Sequence, residues 1–432
     1  MKVTVYRGTK EIGGTFIEIK TDKTKILLDA GYPLFLNGNP IEDKIARQPA
    51  DKLLELGVLP SIQGLYSWES KVNFDGVILS HAHIDHYGLI KYIHPDVPVY
   101  ASMGTKILMD ITRIFLKPAE DFSNYKIFKM YEPFTVGDIL IKPFLMDHSA
   151  FDASGFEISS QGKVVIYTGD FRGHGRKGVC LERFIDGAAK GADLLLTEGT
   201  MMGRKDEMVL TEKALEDEIV EKVCDVKGPV LFQSSAQNID RIVGFYRAAL
   251  RLRKIFVVDV YTANVLYELR QLGNNLPFPS EEYSNIKVFY PYRMTQKIFN
   301  EIGKEYAKRF SLFHIPKETL KAKQNEVVMM VRPSMLKDLE KCSLQNGIFV
   351  YSLWEGYRDS KYQRGFEAYL VRQGFDIVSF HTSGHASVSD IRKVIEKLRP
   401  KKIAPIHTMV PEGFKELEGD MIFLDDGVGI EV

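Results

Sequence analysis

Residues 77–86 read Val-Ile-Leu-Ser-His-Ala-His-Ile-Asp-His, an apolar run followed by three histidines and an aspartate within six positions. A strand that ends in such a loop brings several metal-binding side chains to one place. Imidazole nitrogen and carboxylate oxygen suit zinc, with manganese or iron as second choices. Four such groups exceed what one closed structural site would take from a single loop. The stretch therefore predicts a catalytic centre that holds two metal ions.

Three further ligand-type residues follow apolar segments elsewhere in the chain. His148 follows residues 143–146, Asp170 follows the segment 164–167 within Thr-Gly-Asp, and His407 follows the segment 402–406. Active sites collect where strands end, because a rigid sheet can fix side chains there. Each of these residues alone would more often be a helix cap, a surface residue or a buried histidine, so their meaning depends on the loop at 81–86.

Composition limits the classes of protein that the chain can be. Its 432 residues, 45% of them hydrophobic, are enough for two packed domains. The 57 basic and 57 acidic residues cancel, so any binding of nucleic acid must use local patches. One basic cluster, residues 172–177 (Arg-Gly-His-Gly-Arg-Lys), directly follows Asp170 and is a candidate partner of phosphate.

The three cysteines and the hydropathy pattern indicate where the protein works. Cys180, Cys224 and Cys342 show no Cys-x-x-Cys spacing, which argues against a disulfide framework and a zinc ribbon. No run of 18 or more apolar residues occurs, and the first residues lack the pattern of a signal peptide. We therefore expect a soluble, unprocessed, cytoplasmic protein with no membrane partner.

The order of patterns along the chain predicts a domain inserted into another. Short strands dominate up to about residue 200, and apolar strands then alternate with amphipathic helices, as in a doubly wound parallel sheet. The last sixty or so residues return to short strands that end at ligand-type residues, with 377–380 before His381 and 402–406 before His407. We predict a first domain built from residues 1–203 and 373–432, and an inserted domain at 204–372.

The histidine loop, together with His148, Asp170 and His407, resembles the metallo-β-lactamase superfamily. Residues 11–14 (Glu-Ile-Gly-Gly) and 28–31 (Leu-Asp-Ala-Gly) extend the resemblance. It implies an α/β fold, an αββα sandwich with the inserted parallel-sheet domain, and two zinc ions per chain, with manganese as the alternative. By position, the first metal would be held by His81, His83 and His148, the second by Asp85, His86 and His407, and Asp170 would bridge them. Because metal coordination lowers the pKa of water from 15.7 towards about 7, a bridging hydroxide is the expected nucleophile.

Asp170 and His407 lie 407 − 170 = 237 residues apart, and the predicted inserted domain fills this gap. The arrangement resembles the β-CASP group of nucleases. Glu198 in Leu-Thr-Glu-Gly-Thr matches the group's first acidic motif, His385 in Ser-Gly-His-Ala its second, and His407 in Pro-Ile-His its third. The last two motifs resemble the ribonuclease J family most. About 25 residues follow His407, so we expect a relative without that family's C-terminal domain.

The resemblance also implies roles around the metals. We expect His385 to be the general acid, Glu198 to orient a histidine, Asp85 to join them as a catalytic residue, and His381 and Ser383 to bind the scissile phosphate. A second set of residues resembles the loop with which ribonuclease J holds a 5′-phosphate: Ser234, Ser235 and Asn238. Hydroxyls and amides at a strand-to-helix turn are good phosphate partners. The alternative, which stays open, is that Asn238 only caps a helix.

The function predicted is a metal-dependent ribonuclease that cleaves single-stranded RNA and leaves 5′-phosphate products. A 5′-to-3′ exonuclease is favoured, while endonuclease action and a homodimer stay open. A DNA nuclease of the same architecture is the first alternative, since contact with a 2′-hydroxyl cannot be read from one sequence. A hydrolase of small esters, lactones or thioesters would leave the inserted domain and the Ser-Gly-His-Ala histidine unexplained. An RNA-binding protein without activity would not need the full ligand set.

Overall fold

The computed structural model describes residues 1–36, 38–42, 44–115, 124–204, 209–273 and 275–432. Its strands, in chain order, are β1 (Lys2–Arg7), β2 (Phe16–Lys20), β3 (Lys25–Leu28), β4 (Phe35–Leu36), β5 (Asn39–Pro40), β6 (Gly76–Ile78), β7 (Val99–Ala101), β8 (Tyr125–Ile127), β9 (Phe134–Val136), β10 (Ile139–Leu145), β11 (Ser154–Ser160), β12 (Lys163–Tyr167), β13 (Leu194–Glu198), β14 (Val230–Gln233), β15 (Ile255–Asp259), β16 (Ile286–Phe289), β17 (Val327–Met330), β18 (Ile348–Tyr351), β19 (Asp376–Ser379), β20 (Ile403–Ile406) and β21 (Gly429–Glu431). Its α-helices are α1 (Ala50–Glu55), α2 (Ile84–Tyr87), α3 (Met103–Phe115), α4 (Val179–Gly187), α5 (Glu212–Val223), α6 (Ile239–Arg251), α7 (Val260–Leu269), α8 (Tyr292–Glu301), α9 (Lys304–Ala307), α10 (Lys317–Ala322), α11 (Leu336–Cys342), α12 (Lys361–Arg372) and α13 (Val388–Leu398).

Two mixed sheets form a sandwich. The first has the order β21-β1-β2-β3-β6-β7-β8, and the second has the order β20-β13-β12-β11-β10-β9. Apolar side chains such as Val5, Ile17, Ile158 and Leu196 from the inner faces of both sheets form one buried core. Because alternate strand residues point to opposite faces, each outer face needs its own cover. Helices α4 and α13 cover the second sheet, while α1 and α3 cover the first.

A third sheet, β16-β15-β17-β14-β18-β19, lies outside this sandwich, and all its strand pairs are parallel. Its strands are short apolar runs such as Val-Val-Met-Met in β17, as expected of a sheet buried on both faces. One face packs against α5, α6 and α7, and the other against α11 and α12. Phe115 of α3 contacts Tyr261 of α7, with ring centroids 5.1 Å apart, so the sandwich and the third sheet share one apolar core.

The chain returns to the sandwich after the third sheet. Strand β20 pairs in parallel with β13, and β21 pairs with β1. The strand predicted at 377–380 behaves differently, because β19 pairs with β18 at the edge of the third sheet. The third sheet thus extends to Ser379, beyond the boundary predicted at 372, and the expectation that this strand belongs to the sandwich is wrong. Hydropathy could not show it, since an edge strand carries the same pattern in either sheet.

Local sequence explains where several helices begin. Thr211 caps α5 by accepting from the backbone N–H of Ala214, and Ser387 and Asp390 form a capping box at the start of α13.

Among the described residues, no helix has both the length and the apolar character that a bilayer crossing requires.

Candidate metal centre and catalytic site

The predicted ligands lie at the carboxyl ends of strands from both sheets of the sandwich. Strand β6 leads into residues 81–86, which we call the ligand loop, and β12 leads to Asp170. Strands β12, β13 and β20 run in parallel, so Asp170, Glu198 and His407 emerge side by side. The register of two facing sheets therefore brings together groups that are up to 326 positions apart, from 81 to 407.

Glycine turns support the ligand loop from behind. Backbone N–H groups of Thr15, Ala30 and Tyr32 donate to carbonyl oxygens within the loop at 2.7–3.1 Å. A Cβ on Gly31 would lie 1.8 Å from the carbonyl oxygen of Asp85. Only glycine allows this approach, which explains why the Asp-Ala-Gly turn carries one at that position.

Three histidines form the first predicted ligand group. His81 Nε2 and His148 Nε2 lie 3.2 and 3.1 Å from His83 Nδ1. Asp170 Oδ2 lies 3.8 Å from His81 Nε2 and 3.9 Å from His148 Nε2.

The second group converges on the same carboxylate oxygen. Asp170 Oδ2 lies 3.2 Å from His86 Nε2 and 3.8 Å from His407 Nε2. His407 Nε2 also lies 3.4 Å from Asp85 Oδ2. The structure thus places Asp170 between the two groups.

These residues fit a pair of divalent cations. Zn–N and Zn–O bonds of about 2.0–2.1 Å in a tetrahedron set neighbouring ligand atoms about 3.3 Å apart, close to the distances found here. His86 Nε2 and Asp170 Oδ2 are buried and make no hydrogen bond in the described part of the chain. Buried polar atoms normally have partners, and these two lie 3.2 Å apart, the separation expected of two ligand atoms of one cation. The nitrogen and oxygen donors suit zinc or manganese.

The electrostatics of the ligands agree with this interpretation. Burial and neighbouring histidines lower the pKa of His81 and His148, and burial lowers the pKa of His83 to about 4, so these imidazoles are neutral ligands. Burial would raise the pKa of Asp85, but the contact with His407 and the charge of His86 hold it at about 2. His81, His83 and His148 thus offer neutral nitrogen and Asp85 offers ionised oxygen, the forms in which metals bind them. Burial would lower the pKa of His86, but the charges of Asp170 and Asp29 raise it, so a bound metal would displace a proton there.

Asp29 orients His86 from outside the ligand set. Its Oδ2 lies 2.8 Å from His86 Nδ1 and accepts from the hydroxyls of Tyr167 at 2.6 Å and Ser80 at 2.7 Å. Its Oδ1 accepts from the backbone N–H of Ser80 at 2.7 Å. A proton on Nδ1 leaves Nε2 free to face Asp170, which is the usual carboxylate–histidine–metal arrangement.

Two other ligands are oriented by partners that the sequence did not indicate. His148 Nδ1 lies 2.6 Å from the carbonyl oxygen of Gly384, and His407 Nδ1 lies 2.9 Å from Thr200 Oγ1. A backbone carbonyl carries no sequence signal. Thr200 could have been suspected, since it stands two positions after Glu198 at the end of the same strand.

His385 lies beside the metal ligands but is more open. Its side chain is 23% exposed, compared with 2% for Asp170, and its Nδ1 lies 3.6 Å from Asp170 Oδ2. Glu198 Oε1 lies 3.2 Å from the same Nδ1 and also accepts from the N–H groups of Phe171 and Ala386. Because backbone donors already occupy the Glu198 carboxylate, it is placed to orient His385 rather than to bind a metal.

The predicted phosphate-binding residues fall into two groups. His381 is exposed just after β19, whereas the hydroxyl of Ser383 accepts from the backbone N–H of His385 at 3.0 Å. Ser234 is buried. The side-chain oxygen of Asn238 accepts from the backbone N–H of Arg241, so it caps helix α6, which was the alternative role for this residue. Asn238 forms an isolated β-bridge with Ala150, two positions after His148. The residues at 234–238 therefore lie near the metal ligands.

The basic cluster at 172–177 is not a free phosphate patch. The guanidinium of Arg172 is fully buried and bonds carboxylates of Asp147, Glu212 and Asp240. Arg176 pairs with Glu216 at 2.6 Å. The prediction that the cluster at 172–177 meets phosphate is wrong for Arg172 and Arg176, because composition gives the charge of a segment but not the charges that fold against it.

Comparisons with known proteins agree with this geometry. Residues 39–231 match the model of the beta-lactamase superfamily domain, and residues 374–410 match the Zn-dependent metallo-hydrolase RNA specificity domain. A crystal structure of a protein of unknown function from Enterococcus faecalis V583 has the same fold, with a TM-score of 0.80 and 23% identity over 99% of both chains. The family match and the shared fold confirm the predicted fold class, a metallo-β-lactamase fold.

Along most of its length the chain is similar to ribonuclease J proteins, as the resemblance to the β-CASP group predicted. It is 24% identical to ribonuclease J of Helicobacter pylori (strain B128) over 94% of this chain and 56% of that one. It is 22% identical to ribonuclease J 2 of Streptococcus pyogenes serotype M3 over 94% of this chain and 69% of that one. The chain thus spans little more than half the length of the Helicobacter relative.

Proposed function

We propose that the protein is a metal-dependent ribonuclease that hydrolyses phosphodiester bonds of single-stranded RNA. The observation that carries the proposal is the match of residues 374–410 to an RNA specificity domain. This segment contains His385 and His407, which lie beside Asp170, and the loop before them with His381 and Ser383. The relatives named ribonuclease J support the same substrate.

Seven residues would hold two metal ions: His81, His83, Asp85, His86, His148, Asp170 and His407. When bound, two divalent cations lower the pKa of a water molecule and stabilise negative charge on the phosphoryl oxygens. The chain's part is to fix the ligands through Asp29, Thr200 and the carbonyl of Gly384. Burial around them excludes bulk water and strengthens each charge interaction.

His385 would assist the leaving group. Burial would lower the pKa of His385, but the charges of Glu198 and Asp170 outweigh it and raise the pKa to about 9, so the imidazolium persists at neutral pH. With Nδ1 turned to Glu198, Nε2 carries the other proton. As the bond between phosphorus and the 3′-oxygen breaks, Nε2 donates its proton to that oxygen, and the downstream product keeps the 5′-phosphate.

We further propose 5′-to-3′ exonuclease action, with the 5′-phosphate at residues 234–238. The exposed imidazole of His381 and the hydroxyl of Ser383 would contact the scissile phosphate. Residues 234–238 lie at a strand-to-helix turn, and Asn238 bridges the segment that follows His148. A cytoplasmic location and a homodimer belong to the same proposal, and light scattering of the purified chain tests the dimer.

The test is cleavage of one uniformly labelled single-stranded RNA that carries a 5′-monophosphate, a 5′-triphosphate or a 5′-hydroxyl. Each RNA is digested in zinc and in manganese, beside a DNA of matched sequence, with His385→Ala as the control. Mononucleotides released fastest from the monophosphate end support the proposal. Internal fragments that do not depend on the 5′ end indicate endonuclease action. Cleavage of DNA alone, or of small esters alone, refutes the ribonuclease assignment.

A further inference from the structure

The loop of residues 381–385 (His-Thr-Ser-Gly-His), which we call the His385 loop, is held by side chains at three successive carbonyl oxygens. Arg241 donates to Thr382 O at 3.4 Å, and Gly384 O contacts His148 Nδ1 at 2.6 Å. Between them, Ser383 O accepts from Arg172 at 3.1 Å and lies 2.8 Å from His174 Nε2. The conformation of this loop therefore depends on distant side chains rather than on a strand ladder.

Glu212 joins the two arginines that hold the loop. Its Oε1 accepts from Arg172 Nη1 at 3.0 Å and from Arg241 Nη2 at 3.1 Å, while its Oε2 accepts from Arg241 Nε at 3.1 Å. All three side chains are at most 1% exposed. Glu212 opens helix α5, and Arg241 lies on α6. We call Arg172, Arg241 and Glu212 the guanidinium cluster.

The guanidinium cluster bridges the two parts of the molecule. Arg172 follows β12 of the sandwich and also contacts Asp147 at 3.3 Å, next to the ligand His148. Arg241 also donates to Ser352, which follows β18 of the third sheet. A guanidinium has five donors in a fixed fork and can serve a carboxylate and a carbonyl together, which an ammonium cannot do in the same geometry. The geometry suits precise placement of a loop.

We propose that Glu212 is a positioning residue of the helical layer around the third sheet. Through Arg172 and Arg241 it sets the His385 loop, and with the loop the place of His385 at the phosphate. The third sheet and its helices would then help to hold the general acid His385 in place. The inference rests on the proposed function for its kinetic part, but its structural part can be measured without RNA.

The structural test compares Glu212→Gln with the wild-type, zinc-loaded protein by amide hydrogen exchange and mass spectrometry. Glutamine keeps the size of the side chain but loses the charge, and its NH₂ group faces arginine donors. Peptides that cover residues 380–386 should exchange at least about tenfold faster, because openings cost less when buried partners are lost. The matched control is Glu221→Gln on the exposed face of α5, which should exchange as the wild type does.

The kinetic test uses two substrates, an RNA oligomer and bis(p-nitrophenyl) phosphate. Nitrophenolate leaves without a proton, so its release does not need a placed acid. For Glu212→Gln we expect kcat on RNA to fall about 10–100-fold, the usual loss for a residue that acts through another, with KM changed by less than about threefold. The rate on the nitrophenyl ester should stay within about threefold of the wild type.

Equal losses on both substrates would show that the cluster acts on the metals or the whole fold, and would overturn the proposal. Unchanged exchange at 380–386 would do the same. If the wild type cleaves the nitrophenyl ester but not RNA, the proposed function fails while the exchange data still decide the role of Glu212. If Glu212→Gln does not fold, Arg241→Lys takes its place, since it keeps the charge and loses the fork.

Discussion

Replacement of Asp29 by asparagine should weaken both the fold and the metal centre. The Asp29 carboxylate is fully buried and faces four donors: His86 Nδ1, the hydroxyls of Tyr167 and Ser80, and the backbone N–H of Ser80. Asp29 has a φ of +59°, a conformation that asparagine also tolerates, so the substitution tests charge and hydrogen bonding rather than backbone strain.

The magnitude follows from the four contacts. An amide has one acceptor oxygen, so its NH₂ group must face at least one of the donors, and a buried donor without an acceptor costs about 1–3 kcal/mol. The other three contacts change from charged to neutral hydrogen bonds, at about 1 kcal/mol each. We expect a loss of about 4–6 kcal/mol in the free energy of unfolding of the metal-free protein. Metal affinity should fall about 10–100-fold, since His86 loses its orienting carboxylate.

The assay is urea unfolding in a chelator, followed by competitive zinc titration of the refolded variant. Tyr167→Phe is the matched control, because it removes one hydroxyl donor and should cost only about 1 kcal/mol. If Asp29→Asn unfolds at the same urea concentration as the wild type and binds zinc within about twofold, the Asp29 carboxylate does not orient His86 for metal binding.

Three further predictions concern the acid, the shared ligand and the guanidinium cluster. His385→Ala should keep two metal ions per chain in elemental analysis but lose cleavage by about two to four powers of ten, the contribution of a general acid. Asp170→Ala should lower the metal content, because both ligand groups converge on its Oδ2. Burial would raise the pKa of Glu212, but Arg241 and Arg172 lower it from 4.5 to about 2. The charge of Glu212 therefore stabilises the folded state above pH 4.5, and this stabilisation is lost as the pH falls towards 2. Urea titrations of the metal-free proteins measure the difference in unfolding free energy between the wild type and Glu212→Gln. This difference should therefore shrink by about 3 kcal/mol over this pH range, and about 1 kcal/mol of it should be lost between pH 6 and pH 4.

For each of these three predictions, one outcome would contradict it. Loss of metal from His385→Ala would make His385 a ligand, which its position 3.6 Å from Asp170 Oδ2 would allow. An unchanged metal content in Asp170→Ala would contradict the shared carboxylate. A difference between wild type and Glu212→Gln that does not vary with pH would show that the two arginines do not hold Glu212 ionised.

The sequence predicted much of the fold because strand and helix periodicities are local. The apolar segments at 164–167 and 402–406 form β12 (Lys163–Tyr167) and β20 (Ile403–Ile406), each differing by one residue at its start. Strand β19 shows where local reasoning stops. Its residues, Asp-Ile-Val-Ser, suit the edge of either sheet, and only the folded chain shows that its partner is β18.

In the candidate site, too, the sequence indicated some residues and not others. The candidate ligands could be proposed from the sequence because metal coordination demands particular residue types, which here follow strand ends. The guanidinium cluster was missed because its residues pair over long separations, and Arg172 was predicted as part of a basic cluster that meets phosphate. A signal for Glu212 existed: with Glu216 it shares the face of α5 that carries Leu215, Ile219 and Val223, where unpaired charges would be costly.

The sequence by itself determined the chemical types of the metal ligands, the alternation of strands and helices, and the insertion of one unit into another. These follow from coordination preference and periodicity, which act over a few residues. Tertiary structure alone decided that Asp170 Oδ2 lies between two ligand groups, and that Asp29, Thr200 and Gly384 contact the histidines. It also decided that Glu212 pairs with the two arginines that contact the His385 loop. Such contacts depend on how sheets and helices pack, and packing is a property of the whole chain.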